Sequence, residues 1–497
     1  MPANVRDRKV TLAVPGTFIL PDLTDDGVGA TQVRDLPERD LVSTYHDTAD
    51  LRLARAGVML RHRAGDEAGP PWTLELPASP GDEPARAELR FAGTHRAAPS
   101  EALDLVTAFV RSEKLGPVAA LQTRRRRWLL SDAAGAELAE LLDDEVSVLD
   151  GKQVIARFRE LVLESRGPDS DALVPVADRL RRGGAVLAEP MPKVVRAMGP
   201  RAAAPPDLAT MRVQPADSAG VVVQAAIVAG AIRLTQHDPW TRRGDAEALH
   251  QMRVAARRLR SDLRTFAPLV DAVWAHDLSD ELSWLGERLG AVRDLDVQVA
   301  GLEKVGADLR PDLDPLFEQL GVQREAARSV LLEALRSERY TALLDSLVDA
   351  ARQPRLTAAA EALPSLLYRA WRRLERRAAV ITADDPDERY HAVRILAKRA
   401  RYAAEAISPA LGARGKQARA FASRAAALQD QLGLLQDAVI AADLIRRASE
   451  ASRKPRFTMA AGRLYERQQL ARERARGRYP EAWRRVAGSG ERLSRDV

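Results

Sequence analysis

A helical segment that opens with histidine and carries evenly spaced basic residues occurs twice in this 497-residue chain. The first copy begins at His250 (HQMRVAARRLR) and the second begins 141 residues later at His391 (HAVRILAKRAR). A second motif follows each copy at nearly the same offset, as LGAVRD from Leu289 and LGLLQD from Leu432. This duplication constrains the fold more than any other feature, because it predicts two similar helical halves that act on one ligand.

The basic residues of each copy lie on one stripe of a helix with about 3.6 residues per turn. The stripe residues are His250, Arg253, Arg257, Arg260 and Arg264 in the first copy, and His391, Arg394, Lys398 and Arg401 in the second. Glu405 stands where the first copy has Arg264, and Asp262 is the one acid between His250 and Phe266. Like charges at this spacing destabilise a helix by a few tenths of a kcal/mol per pair, so the stripes predict an external anion.

Arginine favours phosphate among anions, because its planar guanidinium matches the phosphate oxygens, and histidine gains charge near its usual pKa of about 6.5. The alternative is a solvated charged face with a histidine at the edge of the core. Asp294 and Asp437 of the second motif are expected to orient the arginines of the stripes. One aspartate per half supplies too few ligands for a metal.

Charge is unevenly distributed along the chain. Residues 1–215 hold 29 Lys and Arg against 32 Asp and Glu, and residues 216–497 hold 47 against 38. The basic excess in the second part favours a polyanion: nucleic acid, polyphosphate or an anionic membrane surface. Nucleic acid is disfavoured, because Tyr402 is the one aromatic residue close to the stripes and no known nucleic-acid module occurs.

The chain is expected to be a soluble, cytoplasmic protein. It has no cysteine, which excludes disulfides, and Met1 to Val10 has no apolar core of the signal-peptide kind. The longest apolar run, Gly220 to Ile232, has 13 residues, which is too short to span a bilayer and predicts a buried helix. The sequence does not indicate an oligomeric state.

The pattern along the chain predicts an α+β protein of two domains: a domain over 1–200, a linker over 201–216 and a helical domain over 217–497. Short strands are predicted at 58–63, 72–76, 87–91, 122–130, 136–142, 145–149 and 158–164, with helices near 101–111 and 170–182. Ala202 to Asp207 is the best linker candidate, since it contains Pro205 and Pro206. From 216 onward, apolar residues at helical spacing predict eight or more helices in halves of about 217–350 and 355–497.

The doubled His-x-x-Arg-x-x-x-Arg/Lys helix with its Leu-Gly-x-x-x-Asp partner resembles the CHAD (conserved histidine α-helical) domain over about 280 residues. The resemblance implies two pseudo-symmetric four-helix bundles with a basic groove that binds inorganic polyphosphate, with no cofactor required. Because Glu405 replaces an arginine, the first half is expected to bind more strongly.

The first part resembles the CYTH family of triphosphate tunnel metalloenzymes, through FILPDL from Phe18, TYHDTADLRL from Thr44, RHR from Arg61, QTRRR from Gln122 and PKVVRA from Pro192. This resemblance implies a closed antiparallel barrel in which cations hold triphosphate and carboxylates hold Mg²⁺ or Mn²⁺. Strand alternation predicts that Arg61 with Arg63, Arg124 with Arg126, and Arg86 with Glu88 point inward. The expected phosphate ligands are Lys9, Arg61, Arg63, Arg124, Arg126 and Lys193, and the expected residual metal ligands are Asp7, Glu88, Asp143, Asp144, Glu160 and Glu164.

The chain departs from the CYTH pattern mainly in its carboxylates. Val5 and Asp7 stand where the family opens with two glutamates, Val162 replaces the middle acid of a later strand, and Glu75 replaces a lysine. A weak phosphate-binding or purely scaffolding tunnel is therefore expected, beside a CHAD half that binds polyphosphate and associates with cytoplasmic polyphosphate granules. The alternative is a Mg²⁺- or Mn²⁺-dependent triphosphatase or polyphosphatase that uses the CHAD half to bind its substrate.

Overall fold

The computed structural model describes residues 9–24, 30–65, 69–77, 86–166, 173–188, 191–358 and 362–494. The chain divides into two compact units, Met1–Asp207 and Leu208–Val497. The first unit is built on an antiparallel β-sheet and the second is helical, as the sequence predicts.

Among its described residues, the sheet unit contains one sheet of nine strands in the order β5-β4-β3-β2-β6-β7-β8-β1-β9. The strands are β1 (Lys9–Val14), β2 (Gln32–Asp47), β3 (Met59–Ala64), β4 (Trp72–Pro77), β5 (Arg86–Phe91), β6 (Gly116–Ser131), β7 (Glu137–Asp150), β8 (Gln153–Ser165) and β9 (Val186–Leu187). The described part of this unit also contains four α-helices: α1 (Arg52–Arg55), α2 (Ser100–Val110), α3 (Leu173–Arg182) and α4 (Lys193–Met198).

The two faces of the sheet differ in chemistry. One face is apolar and packs its leucines, including Leu12, Leu141 and Leu161, against Leu173 and Leu180 of α3. The other face carries most of the charged side chains of the strands, and α4 covers an apolar part of it through Val194 and Val195. Strand alternation produces this division, because successive side chains point to opposite faces.

The sheet differs from the sequence prediction in several strands, and neither β1 nor β9 was among the predicted strands. β2 is a 16-residue strand that was not predicted, because Pro37 and several charges interrupt its pattern. The register shift between Leu36 and Arg39 accommodates this proline. β7 is one strand, although the pair Asp143 and Asp144 suggested a break between two strands.

The segment predicted as a linker is held to the sheet unit at its end. The Asp207 carboxylate accepts hydrogen bonds from Arg55 and Arg111, and the Pro205 carbonyl accepts one from Arg55. Ala202 is buried. Residues 202–207 therefore pack against this unit.

The helical unit contains nine α-helices among its described residues, arranged as two related groups. The first group is α5 (Ala219–Arg242), α6 (Ala246–Thr265), α7 (Ala272–Gly306), α8 (Arg310–Leu335) and α9 (Glu338–Arg352). The second group is α10 (Leu363–Ala378), α11 (Asp387–Ile407), α12 (Gly415–Ala451) and α13 (Pro455–Ser494). Consecutive helices pack in each group, α9 packs on α5, and α13 packs on α10. The α8–α9 pair therefore matches the single long helix α13.

The predicted apolar run lies in α5. By length and by a mean hydropathy of 1.4 this helix is the one membrane-span candidate among the described residues. α5 packs on α6 and α9, and Val222, Val223, Ile227 and Val228 are buried. Burial against neighbouring helices explains its apolar composition.

The two helical groups contact each other in two places, at the basic helices and at an apolar cluster. α6 packs directly on α11. At the other end of the long helices, Leu302, Phe317, Ile445 and Leu464 belong to one buried cluster that joins α7, α8, α12 and α13. These contacts fix the two basic helices beside each other.

Candidate anion-binding site

The duplicated stripes lie on α6 and α11. Asp245 caps the N-terminus of α6 by accepting a hydrogen bond from the Ala248 amide at 2.7 Å. Met252 and Leu259 are buried on the opposite side of α6, so the apolar and basic faces of this helix separate as the sequence predicts.

The basic residues of the two helices converge, because α6 packs on α11 and side chains meet across the pair, as Arg258 meets Glu405. Burial and the charges of Arg257, Arg394 and Arg253 lower the pKa of Lys398 to about 7. Burial also lowers the pKa of Arg394, although Asp437 opposes the shift, while Arg257 and Arg253 of the other helix add to it. We call Arg253, Arg257, Arg394 and Lys398 the central cluster.

The central cluster is poorly compensated. Arg253 forms an ion pair with Asp294 at 2.9 Å, and Arg257 donates to the Tyr402 hydroxyl at 3.3 Å. Among the described residues, no carboxylate forms an ion pair with Arg257, Arg394 or Lys398. The Nε groups of Arg257 and Arg394 are buried without a hydrogen-bond partner, as is that of the neighbouring Arg293. Such groups are costly unless a ligand pairs with them.

The second motif explains how the arginines are positioned. A Cβ atom added to Gly290 would lie 3.6 Å from Arg253 Nε, and one added to Gly433 would lie 3.8 Å from Arg394 Nε. The glycines thus let one guanidinium in each half lie across the neighbouring helix. Asp294 pairs with Arg253, and the charge of Asp437 acts on Arg394.

The two histidines have different surroundings. His391 Nδ1 and Gln436 Oε1 are 2.7 Å apart. Arg293 occupies the position of Gln436 in the first half, and burial and this arginine lower the pKa of His250. His250 therefore takes up its proton at a lower pH than the sequence predicts.

The stripes diverge in chemistry beyond the central cluster. Arg401 pairs with Glu405 at 2.7 Å, and Glu405 also pairs with Arg258 at 2.5 Å. Arg401 was predicted to bind the anion, but its charge is already compensated by Glu405. Arg260 and Arg264 form no ion pair or hydrogen bond with another described residue.

Asp262 does not neutralise the stripe of α6. Both of its carboxylate oxygens are buried without a hydrogen-bond partner in the described part of the chain, and Arg258 Nε lies 3.8 Å from one of them. Burial raises the pKa of Asp262 to about 7, against the opposing charge of Arg258.

Several cations near the stripes were missed by the sequence analysis. They are Arg258, Arg293, Arg373 and Arg399. The duplication itself contained a signal for two of them, because Arg258 and Arg399 occupy equivalent positions in the two copies. Arg373 lies outside the repeated motif, so only the packing of α10 reveals it.

The sheet unit contains a second charged region, which the strand register defines. Paired residues on adjacent strands point to the same face. One face, called here the charged face, carries the cations Lys9, Arg39, Arg61, Arg63, Arg86, Arg90, Arg125 and Arg127, and the acids Glu75, Glu88, Glu140, Asp144, Glu160 and Glu164.

The predictions for Arg124, Arg126 and Asp143 were wrong, because the register places all three on the other face. Arg126 lies opposite Asp143 on the neighbouring strand, and Asp143 pairs with Arg126 at 2.9 Å and with Arg159 at 2.8 Å. Arg124 is exposed and pairs with Glu38. Arg125 and Arg127 take their place on the charged face.

The acids on the charged face already form ion pairs with neighbouring lysines and arginines. Lys193 Nζ contacts Asp144 and also Glu160, the latter at 2.9 Å, and Arg125 donates twice to Asp144. Burial would raise the pKa of Asp144, but Arg125 and Lys193 lower it to about 2.

The remaining acids of this face pair in the same way. Glu140 pairs with Arg127 and Arg166, Glu164 with Lys9, Glu88 with Arg90, and Glu75 with Arg61 and Arg86. Arg63 donates to Ser43.

This arrangement does not fit a divalent metal. Within the described part of the chain, no three His, Asp or Glu side chains converge as metal ligands. Asp7, the remaining predicted ligand, lies outside the described residues. Asp144 and Glu160 share a face, but Lys193 lies against both carboxylates.

Comparison with known proteins agrees with this architecture. The CYTH domain model matches residues 8–173, and the CHAD domain model matches residues 225–446. The chain is 32% identical over 504 aligned residues to the protein Rv2226 of Mycobacterium tuberculosis, covering 93% of each chain.

Two solved structures align with 54% of this chain. PptA from Streptomyces chartreusis is 27% identical, with all of that chain covered and a TM-score of 0.45. The CHAD domain from the plant Ricinus communis is 28% identical, with 92% of that chain covered and a TM-score of 0.43.

Proposed function

This chain belongs to the family of proteins built from a CYTH domain and a CHAD domain, and we propose that it binds inorganic polyphosphate through the central cluster. The observation that carries the proposal is the convergence of four cations from α6 and α11 with one ion pair among them. Placing these charges together costs free energy in the unbound protein. A dense polyanion would offset that cost and satisfy the buried Nε groups.

The chemistry of the cluster favours a phosphate chain over nucleic acid. Single-stranded nucleic acids need aromatic platforms on which bases stack. Tyr402 is buried, and the guanidinium groups of Arg258 and Arg401 lie 5.2 and 5.7 Å from its ring centre. It therefore offers no free face to a base. A polyphosphate needs only closely spaced cations, which the cluster supplies.

We also propose that the CYTH domain of this chain does not hydrolyse triphosphate. Each acid of the charged face lies beside a cation, so a metal would have to displace Lys193 or an arginine before it could bind. Most cations of this face are paired with acids, so we expect its affinity for phosphate to be low for the same reason. The domain would then bind phosphate weakly or act as a scaffold, and the protein would associate with polyphosphate in the cytoplasm, including its granules.

Isothermal titration of long-chain polyphosphate into the full-length protein tests the binding proposal. Changing Arg253, Arg257 and Arg394 to Gln together with Lys398→Gln should weaken binding by at least about 100-fold, since hydrogen bonds to charged groups contribute about 1.5–3 kcal/mol each. Removal of like charges should leave the melting temperature equal or higher.

A matched control changes three arginines and one lysine at the far end of α12 and beyond. Arg446, Arg447, Arg453 and Lys454 are exposed, and Arg446 lies about 20 Å along α12 from Gly433. Their replacement by Gln removes the same number and types of basic residues and should change affinity little. Equal binding by the wild type and the central-cluster variant would refute the proposal.

A further inference from the structure

We propose that a long polyphosphate leaves the central cluster on one side only, along a second group of arginines, and that Glu405 closes the other side. This inference rests on the proposed polyphosphate binding. It adds the direction in which the bound polyphosphate runs and predicts that the protein binds long chains more tightly than short ones.

The open side is a group of four arginines from three helices, called here the extension cluster: Arg260 and Arg264 of α6, Arg399 of α11 and Arg373 of α10. The four arginines are brought together because α10 packs on both α6 and α11, and α6 packs on α11. In agreement with this packing, burial lowers the pKa of Arg399, and the charges of Arg264, Arg373 and Arg260 lower it further. Arg264 and Arg373 are exposed to solvent.

The extension cluster has no compensation from the described residues. None of its four arginines forms an ion pair or a hydrogen bond with another described side chain, and the Nε of Arg260 is buried without a partner. This second set of unpaired cations is therefore available to further phosphate groups of the same chain.

The extension cluster is continuous with the central cluster. Arg260 and Arg264 follow Arg257 along α6 at spacings of three and four residues, so all three lie on one stripe of that helix. A phosphate chain could therefore pass from one cluster to the other without crossing an acidic or apolar surface formed by these residues.

The opposite side is built from the equivalent positions of the repeat but carries different chemistry. The offset of 141 residues relates Arg260 to Arg401, Arg264 to Glu405, and Arg399 to Arg258. Glu405 accepts hydrogen bonds from Arg258 at 2.5 Å and from Arg401 at 2.7 Å.

The consequence is an asymmetric binding surface. A phosphate that approached Arg258 and Arg401 would have to compete with Glu405 for both guanidinium groups and would meet its negative charge. The same approach on the open side meets four arginines, none of which forms an ion pair with a described acid. A short chain such as tripolyphosphate is expected to fill the central cluster, whereas a long chain also covers the extension cluster.

The test compares affinities of the full-length protein for long-chain polyphosphate and for tripolyphosphate at fixed salt. In the variant with Arg373→Ala and Arg399→Ala, the long-chain affinity should fall about tenfold, and the tripolyphosphate affinity much less. The dependence of log K on log salt for the long chain should become shallower by roughly 1 to 2, as expected when two phosphate contacts are lost. The variant Arg446→Ala with Arg447→Ala, which loses the same charge elsewhere, should keep the wild-type ratio of the two affinities.

Glu405→Gln provides the complementary measurement. Loss of this carboxylate frees Arg258 and Arg401, so long-chain affinity should rise more than tripolyphosphate affinity. An equal fall of both affinities in the Arg373 and Arg399 variant, an unchanged ratio, or no gain in Glu405→Gln would overturn the one-sided path. If the wild type binds neither ligand, or binds as well without the central cluster, the proposed function itself fails.

Discussion

At the scale of single residues, burial decides which cations carry charge in the unbound protein. Lys398 lies among Arg257, Arg394, Arg253 and Arg399, and its pKa falls to about 7 because burial and these charges favour the neutral amine. The arginines nearby stay protonated because of their much higher intrinsic pKa. The lysine is therefore the residue of the central cluster whose charge should respond to the ligand.

We expect polyphosphate binding to take up protons at pH 8. Free Lys398 is mostly neutral at this pH, and the bound phosphates favour its charged form, so its pKa rises on binding. Affinity should accordingly decrease as pH rises from about 7 towards the usual lysine pKa of about 10.4. Titrations in two buffers with different ionisation enthalpies measure the uptake.

The variant Lys398→Arg is the control for this proton uptake. It keeps the positive charge but does not titrate in this range. Proton uptake should decrease in the variant while binding persists. Undiminished uptake would show that another group takes up the proton.

At the scale of secondary-structure elements, the short second motif sets the distance between a basic helix and its neighbour. Gly290 of α7 lies beneath Arg253 of α6, and Gly433 of α12 lies beneath Arg394 of α11. The same relation in both halves explains why the repeat includes a glycine. The absence of a side chain at each glycine leaves room for the guanidinium group, and this position places the group in the central cluster.

Substitutions at these glycines should separate packing from binding. Alanine should be tolerated, since its Cβ would lie in ordinary contact with Arg253 or Arg394, and it should stabilise the helix by up to about 1 kcal/mol. Leucine should displace the guanidinium and weaken polyphosphate binding several-fold.

Isothermal titration and thermal unfolding of Gly433→Ala and Gly433→Leu provide this comparison. The alanine variant is the control, because it changes the same position without filling the space of the guanidinium. Wild-type affinity in the leucine variant would argue against this role of the glycine.

At the scale of the whole molecule, the chain has two charged regions that differ in ion pairing. The cations of one region are mostly unpaired, and the charges of the other are mostly paired. In the helical unit, cations from two helices face each other with few acids. On the charged face of the sheet unit, acids and cations alternate and pair, and Lys193 links Asp144 with Glu160. Only the first region has a strong electrostatic reason to take up an anion.

This difference predicts that the full-length protein releases no phosphate from tripolyphosphate when Mg²⁺ or Mn²⁺ is added. The reason is that the candidate metal ligands already pair with cations. A phosphate-release assay with and without each metal measures it. Metal-dependent release that disappears in Glu160→Ala and in Lys9→Ala would instead support the triphosphatase alternative.

The sequence by itself determined the division into a strand-rich and a helical part, and the duplicated basic helix with its repeated Leu-Gly-x-x-x-Asp motif. These features are local or repeat along the chain, so spacing reveals them. That Arg61 and Arg63 share one face of the sheet also follows from alternation within one short strand.

Only the tertiary structure decided which charges remain unpaired. Four consecutive arginines, Arg124 to Arg127, contain no signal for the face on which each lies, because alternation has a period of two and needs a neighbouring strand to set its phase. In the same way, Glu405 pairs with Arg258 across 147 residues of sequence. The sequence shows which residues carry charge, but the packing of strands and helices decides which of those charges meet.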